Sequence, residues 1–98
     1  MASTTLTEIR EKRDDIVVVA RARGATRIRV FGSVARGEDS ASSDIDFLVE
    51  MEDGRTLFDL GGLMMDLREL LRREVDVVTE GGLRPRVAKR VLADAVDL

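Results

Sequence analysis

Between Ile45 and Thr79 the chain reads as strand, helix and strand in direct succession, and this crossover limits the fold more than any other feature. Ile45 to Met51 alternates, with Ile45, Phe47 and Val49 on one face and Asp44, Asp46 and Leu48 on the other. From Thr56 to about Arg73, Leu57, Leu60, Met64, Leu67 and Leu71 recur at helical spacing. Gly61-Gly62 weakens this helix by about 1 kcal/mol per residue relative to Ala. Val75 to Thr79 is a β-branched run bounded by Glu80-Gly81-Gly82. Two strands joined through a helix become parallel neighbours.

The flanking segments fit around that unit. Thr5-Leu6-Thr7-Glu8 has capping-box spacing, so a helix is expected from there, with Leu6, Ile9, Ile16, Val17 and Ala20 on its apolar face and Gly24 as its stop. Arg27 to Phe31 reads as a short strand with Ile28 and Val30 on one side. Segment 32–43 reads as a loop with one helical turn at Ser33 to Arg36, too short for a helical crossover, so the first two strands pair antiparallel. Pro85 suits the first turn of a last helix with Val87, Val91, Leu92 and Ala95 on its face. At 98 residues this is one domain, 1–98, in the order α-β-β-α-β-α.

What is missing narrows the chemistry. The chain has no Cys, His, Trp or Tyr, which excludes disulfides, thiol nucleophiles, Cys/His zinc sites and histidine-based triads. Phe31, Phe47 and Phe58 are too few for a base-stacking surface, and a net charge of -3 gives no grip on a phosphate backbone. No apolar run reaches the ~20 residues of a membrane span, so a cytoplasmic address with no membrane or direct nucleic-acid partner is expected.

Asp44 and Asp46 leave the same strand face with Cα atoms ~6.6 Å apart. Asp76 interrupts a run of valines, where an apolar residue is otherwise expected. The strand order brings all three to one sheet edge, beside Gly32-Ser33 at the end of the first strand. A short acidic pair alone is more often a turn cap and a solvated residue than a metal site. Three together are different, since two carboxylates ~5 Å apart at an effective dielectric of 20 repel by roughly 3 kcal/mol. An oxygen-only set favours Mg²⁺ or Mn²⁺, and two such ions can stabilise the attacking and leaving oxygens of a displacement at phosphorus. Gly32 and Ser33 can hold phosphate oxygens, or can form an ordinary strand exit. Arg36 suits phosphate and its neighbours Glu38 and Asp39 equally.

Phe31-Gly32-Ser33, then Asp44-Ile45-Asp46, then Asp76 on a later strand, resembles the signature of the DNA-polymerase-β-like nucleotidyltransferases. The likeness is strongest to their minimal (MNT) branch, the antitoxin half of HEPN/MNT toxin–antitoxin pairs. The resemblance implies an α/β (α+β) fold, with a mixed three-stranded sheet flanked by helices. It further implies transfer of AMP from ATP to a tyrosine of a HEPN ribonuclease toxin, with hetero-oligomer formation. On that likeness Gly32 and Ser33 contact the triphosphate, with Arg36 beside them. Asp44 and Asp46 bind two Mg²⁺ ions, and Asp76 binds the catalytic ion and helps deprotonate the acceptor. Larger relatives carry a helical domain after the third strand where this chain has only Leu83 to Leu98, so an open or partner-completed acceptor side is expected. Gly61-Gly62 and Met64-Met65 are a docking face on one reading and core on the other. Two alternatives to the enzymatic antitoxin are a non-catalytic antitoxin that covers its toxin, and a nucleotidyltransferase for a small molecule or an RNA end.

Overall fold

A computed structural model of the chain describes residues 4–40 and 42–98. Its elements are α1 (Thr4–Glu11), α2 (Arg13–Ala22), β1 (Ala25–Phe31), α3 (Gly32–Arg36), β2 (Ile45–Met51), α4 (Leu57–Leu71), β3 (Val75–Thr79), a 3-10 turn (Glu80–Gly82), α5 (Pro85–Asp94) and β4 (Val96–Asp97). The sheet order is β3-β2-β1-β4. As expected, β2 and β3 are parallel and β1 and β2 antiparallel.

The expected three strands are four. Val96–Asp97 adds a short antiparallel strand against Arg29 and Val30 of β1. Two residues carry too little periodicity to be read as a strand, and this one is fixed by a distant partner: Arg27 Nε and Nη2 each donate to the Asp97 carboxylate at 2.8 Å.

The single helix expected before Gly24 is two, broken at Lys12. Thr5 does not cap it. Thr5 lies within α1, buried, and its hydroxyl accepts from Arg73 Nη1 at 3.0 Å. A capping box does form at α4, where the Thr56 hydroxyl accepts from the Phe58 N–H at 3.2 Å and Asp59 accepts from the Thr56 N–H at 3.0 Å. Leu57, expected on the buried face of that helix, is 83 % exposed; Leu63 is buried instead, with Leu67 and Leu71.

Ile28, Val30, Ile45, Phe47, Val49, Val75 and Val77 form one continuous core with Ile9, Ile16, Ala20, Leu63 and Leu67, so α1, α2 and α4 cover one face of the sheet. Leu48 and Val91 are buried outside that core, and α5 packs toward β1 and α3. The second face is therefore covered only in part. Within α4, Gly62 leaves room for a guanidinium: a Cβ there would lie 2.6 Å from Arg23 Nη1, and Arg23 Nε reaches Asp66 at 2.7 Å. Gly61 faces open space, Met64 packs against the core and Met65 is exposed, so the core reading holds for Met64 and not for Met65. No helix among the described residues is long and apolar enough to cross a membrane.

Candidate active site

The partly covered face carries the acidic residues. Residues directly opposite across a ladder share a face. Phe31 is opposite Asp46 and Asp46 is opposite Asp76, so β1, β2 and β3 present Phe31, Asp46 and Asp76 side by side. Asp44 stands just before β2, two residues from Asp46 and on the same side. Asp44 and Asp76 are exposed, whereas Asp46 is half-buried.

That burial shows in the charge balance. Desolvation, then the negative charges of Asp76 and Asp44, hold the Asp46 carboxyl above the ordinary carboxylate range, and the Arg36 cation works against them. Asp46 thus lies within the fields of both Asp76 and Asp44. Among the described residues, no three acidic side chains are drawn close enough to close around an ion as they stand. Their oxygen donors and mutual repulsion still suit a divalent cation of the Mg²⁺ or Mn²⁺ type.

Gly32 forms the wall of the site. Its φ is +74°, and a Cβ built on it would lie 2.7 Å from Asp46 Oδ2, so the carboxylate and the backbone approach as no other residue allows. Gly32 opens α3, which places Ser33 in the first turn of that short helix, half-buried. Arg36 closes α3. Its Nη1 donates to Asp94 at 2.6 Å and its Nε to Glu38 at 2.9 Å, so it ties α3 to α5 while its charge still reaches Asp46.

One residue of this face was not singled out from the sequence. Arg29 is 8 % exposed, and its Nε has no acceptor among the described residues. It lies one pleat along β1 from Phe31, opposite Leu48, and its charge reaches Asp97. The signal was an arginine between Ile28 and Val30, but strand alternation assigned that position to solvent.

Residues 6–98 match the nucleotidyltransferase domain family. The chain belongs to that family. Among nucleotidyltransferase-domain relatives, the protein adenylyltransferase MntA of Thermococcus cleftensis is 40% identical over 73 residues, covering 74% of each chain. A Methanocaldococcus jannaschii protein that also bears a protein adenylyltransferase name is 41% identical over 90 residues, 92% of this chain and 97% of that one. The nucleotidyltransferase fold agrees with a solved minimal nucleotidyltransferase at a TM-score of 0.86 and 45% identity, covering 100% of this chain and 97% of the other. A Shewanella oneidensis complex of tri-AMPylated HEPN toxin with MNT antitoxin aligns at a TM-score of 0.68 and 20% identity, over 90% of this chain and 69% of that one; this likeness is one of fold.

Proposed function

We propose that this chain is an antitoxin that transfers AMP from ATP to a tyrosine of a partner HEPN toxin and so silences it. The observation that carries the reading is the lateral array Gly32, Asp46, Asp76, in which backbone without a side chain at Gly32 adjoins carboxylates on two neighbouring strands. The adenylyltransferase names of the sequence relatives support the reaction type. A toxin–antitoxin complex with AMP-PNP and the tri-AMPylated HEPN toxin complex, both structural neighbours, support the donor and the partner. With no Tyr in its own sequence, the chain cannot be the target of its own transfer to tyrosine.

In this reading the backbone of Gly32 and the hydroxyl of Ser33 orient the triphosphate. Arg36 offsets phosphate charge from the end of α3. Asp44, Asp46 and Asp76 would hold divalent cations, with Mg²⁺ the choice of an all-oxygen set and Mn²⁺ a substitute. When bound, these ions supply charge stabilisation for the attacking and leaving oxygens. The acceptor oxygen forms a bond to the α-phosphorus, the bond from that phosphorus to pyrophosphate breaks, and Asp76 takes the hydroxyl proton. No histidine is needed at any point.

The test is incubation of the folded chain with α-labelled ATP, Mg²⁺ and its candidate HEPN partner. Label on a partner tyrosine, lost with Asp44→Asn plus Asp46→Asn, is the expected result. Stoichiometric inhibition of the toxin without ATP or label would replace this reading with simple steric cover.

A further inference from the structure

An open cavity of about 420 Å³ is lined by Ser42, Ser43, Arg68, Arg72, Arg73 and Glu74. It adjoins the carboxylate edge. Ser43 directly precedes Asp44, Glu74 stands two residues before Asp76, and the Ile45 N–H donates to the Glu74 carbonyl at 2.9 Å. Three guanidiniums here face one carboxylate, in a chain whose net charge is -3.

The three arginines are differently engaged. Arg73 is structural: its Nη1 donates to Thr5 and its Nη2 to the Ser43 carbonyl at 2.7 Å, fixing the loop that leads to Asp44. Arg68 reaches Glu74 at 3.3 Å, while its Nε is buried with no acceptor among the described residues. The Arg72 side chain makes no hydrogen bond or ion pair among the described residues. Its backbone is left-handed, at φ 52° and ψ 40°, the one non-glycine so placed among the described residues. Glycine is the residue that such a helix end favours. A cation does complement the negative end of α4. That accounts for a charge at position 72 but not for a three-guanidinium wall or a buried, unpartnered Nε.

We propose that this cavity is a phosphoryl-anion subsite, which takes a phosphate carried by the acceptor, such as that of a nucleotide already attached to it. Arginines present forked donors matched to phosphate oxygens, and Ser42 adds a hydroxyl-bearing residue to the lining. Assigning the phosphate to the acceptor rests on the proposed transfer; anion binding by the cavity does not.

The experiment titrates AMP, and separately pyrophosphate, into the metal-free chain and follows the amides of Ser42, Ser43 and Glu74 by nitrogen-15 NMR. Saturable shifts with AMP are expected. Arg72→Gly suits the left-handed backbone, so it keeps a dispersed spectrum while weakening AMP by about tenfold, the loss of a charge-assisted hydrogen bond. Arg72→Lys recovers part of the affinity. Absence of saturable shifts at these amides, or equal affinity in Arg72→Gly, overturns the subsite. Binding of pyrophosphate without AMP assigns the cavity to the leaving group and overturns the acceptor assignment. Because no transfer is measured, a chain that fails to label its partner but binds AMP here refutes the proposed function and leaves the subsite standing.

Discussion

A Cβ placed on Gly32 would lie 2.7 Å from Oδ2 of Asp46, so the last residue of the strand exit and the central carboxylate of the sheet occupy adjoining space with nothing between them. Gly32→Ala therefore meets two obstacles, the side-chain clash and a φ of +74°. Left-handed backbone costs an L-residue roughly 1–2 kcal/mol. For a domain of this size each kcal/mol lowers the melting temperature by about 4–8 °C. Differential scanning calorimetry of the variant reads that loss, and AMP transfer should fall with it even below the melting range. A variant as stable and as active as the parent would mean that Asp46 turns away at no cost.

Asp46→Asn should act in opposite directions on stability and on transfer. The folded carboxyl is held above its ordinary range by burial and by Asp76 and Asp44, so the native state binds the proton more tightly than the unfolded chain. Stability contributed by the protonated form is then lost as pH rises from the unfolded value, near 3.9, through the raised folded value. Above that window the asparagine variant should melt higher than the parent in the absence of divalent ions. Transfer should drop by about two orders of magnitude or more, as expected on losing a metal contact worth several kcal/mol. Paired melts at about pH 3, below the ordinary carboxylate value, and about pH 7, well above it, test the sign.

Thr56→Ala removes the hydroxyl that accepts from the Phe58 N–H at the start of α4. Loss of such a cap costs about 1 kcal/mol. Asp59 accepts from the Thr56 N–H and from Arg55, which hold its carboxyl below the ordinary range. Its contribution is present above the unfolded value and disappears as pH falls through the folded one. Asp59→Asn should therefore flatten the acid limb of the stability curve, which urea titrations across that range can measure.

Arg29→Met should stabilise the fold. Arg29 is 8 % exposed with a buried, unpartnered Nε, and a buried polar group without its hydrogen bond is costly. Methionine has a similar reach and no such requirement. A higher urea midpoint with an unchanged slope is the expected result; a lower midpoint would show that attraction to Asp97 outweighs the cost of burial.

The elements that could be read in the sequence were those with a period long enough to register. Ile45 to Met51 and Val75 to Thr79 have the bounds that their patterns indicated, and the parallel and antiparallel pairings followed from connection length. Val96–Asp97 could not be read, because a two-residue strand is specified by Arg27 from 70 positions away. Thr5 misled because its threonine satisfies a local rule, while the hydroxyl is claimed by Arg73, a partner that only tertiary structure supplies. Leu57 misled for a related reason: the capping box turns the first residue of α4 toward solvent. At the site, Asp44, Asp46 and Asp76 were placed together by topology alone. The role of Gly32 as a wall, the tie of Arg36 to Asp94 and the burial of Arg29 required coordinates.

The unequal cover of the sheet has a kinetic meaning. With Asp44 and Asp76 exposed and Asp46 half-buried, little of this chain separates the reacting edge from bulk water. An activated phosphoryl centre held there is open to hydrolysis, a loss that closed enzymes suppress with a lid. In the proposed transfer the acceptor protein is the object large enough to shut out solvent. Productive turnover and protection from waste are then the same event, and the donor is spent chiefly when the target is already in place.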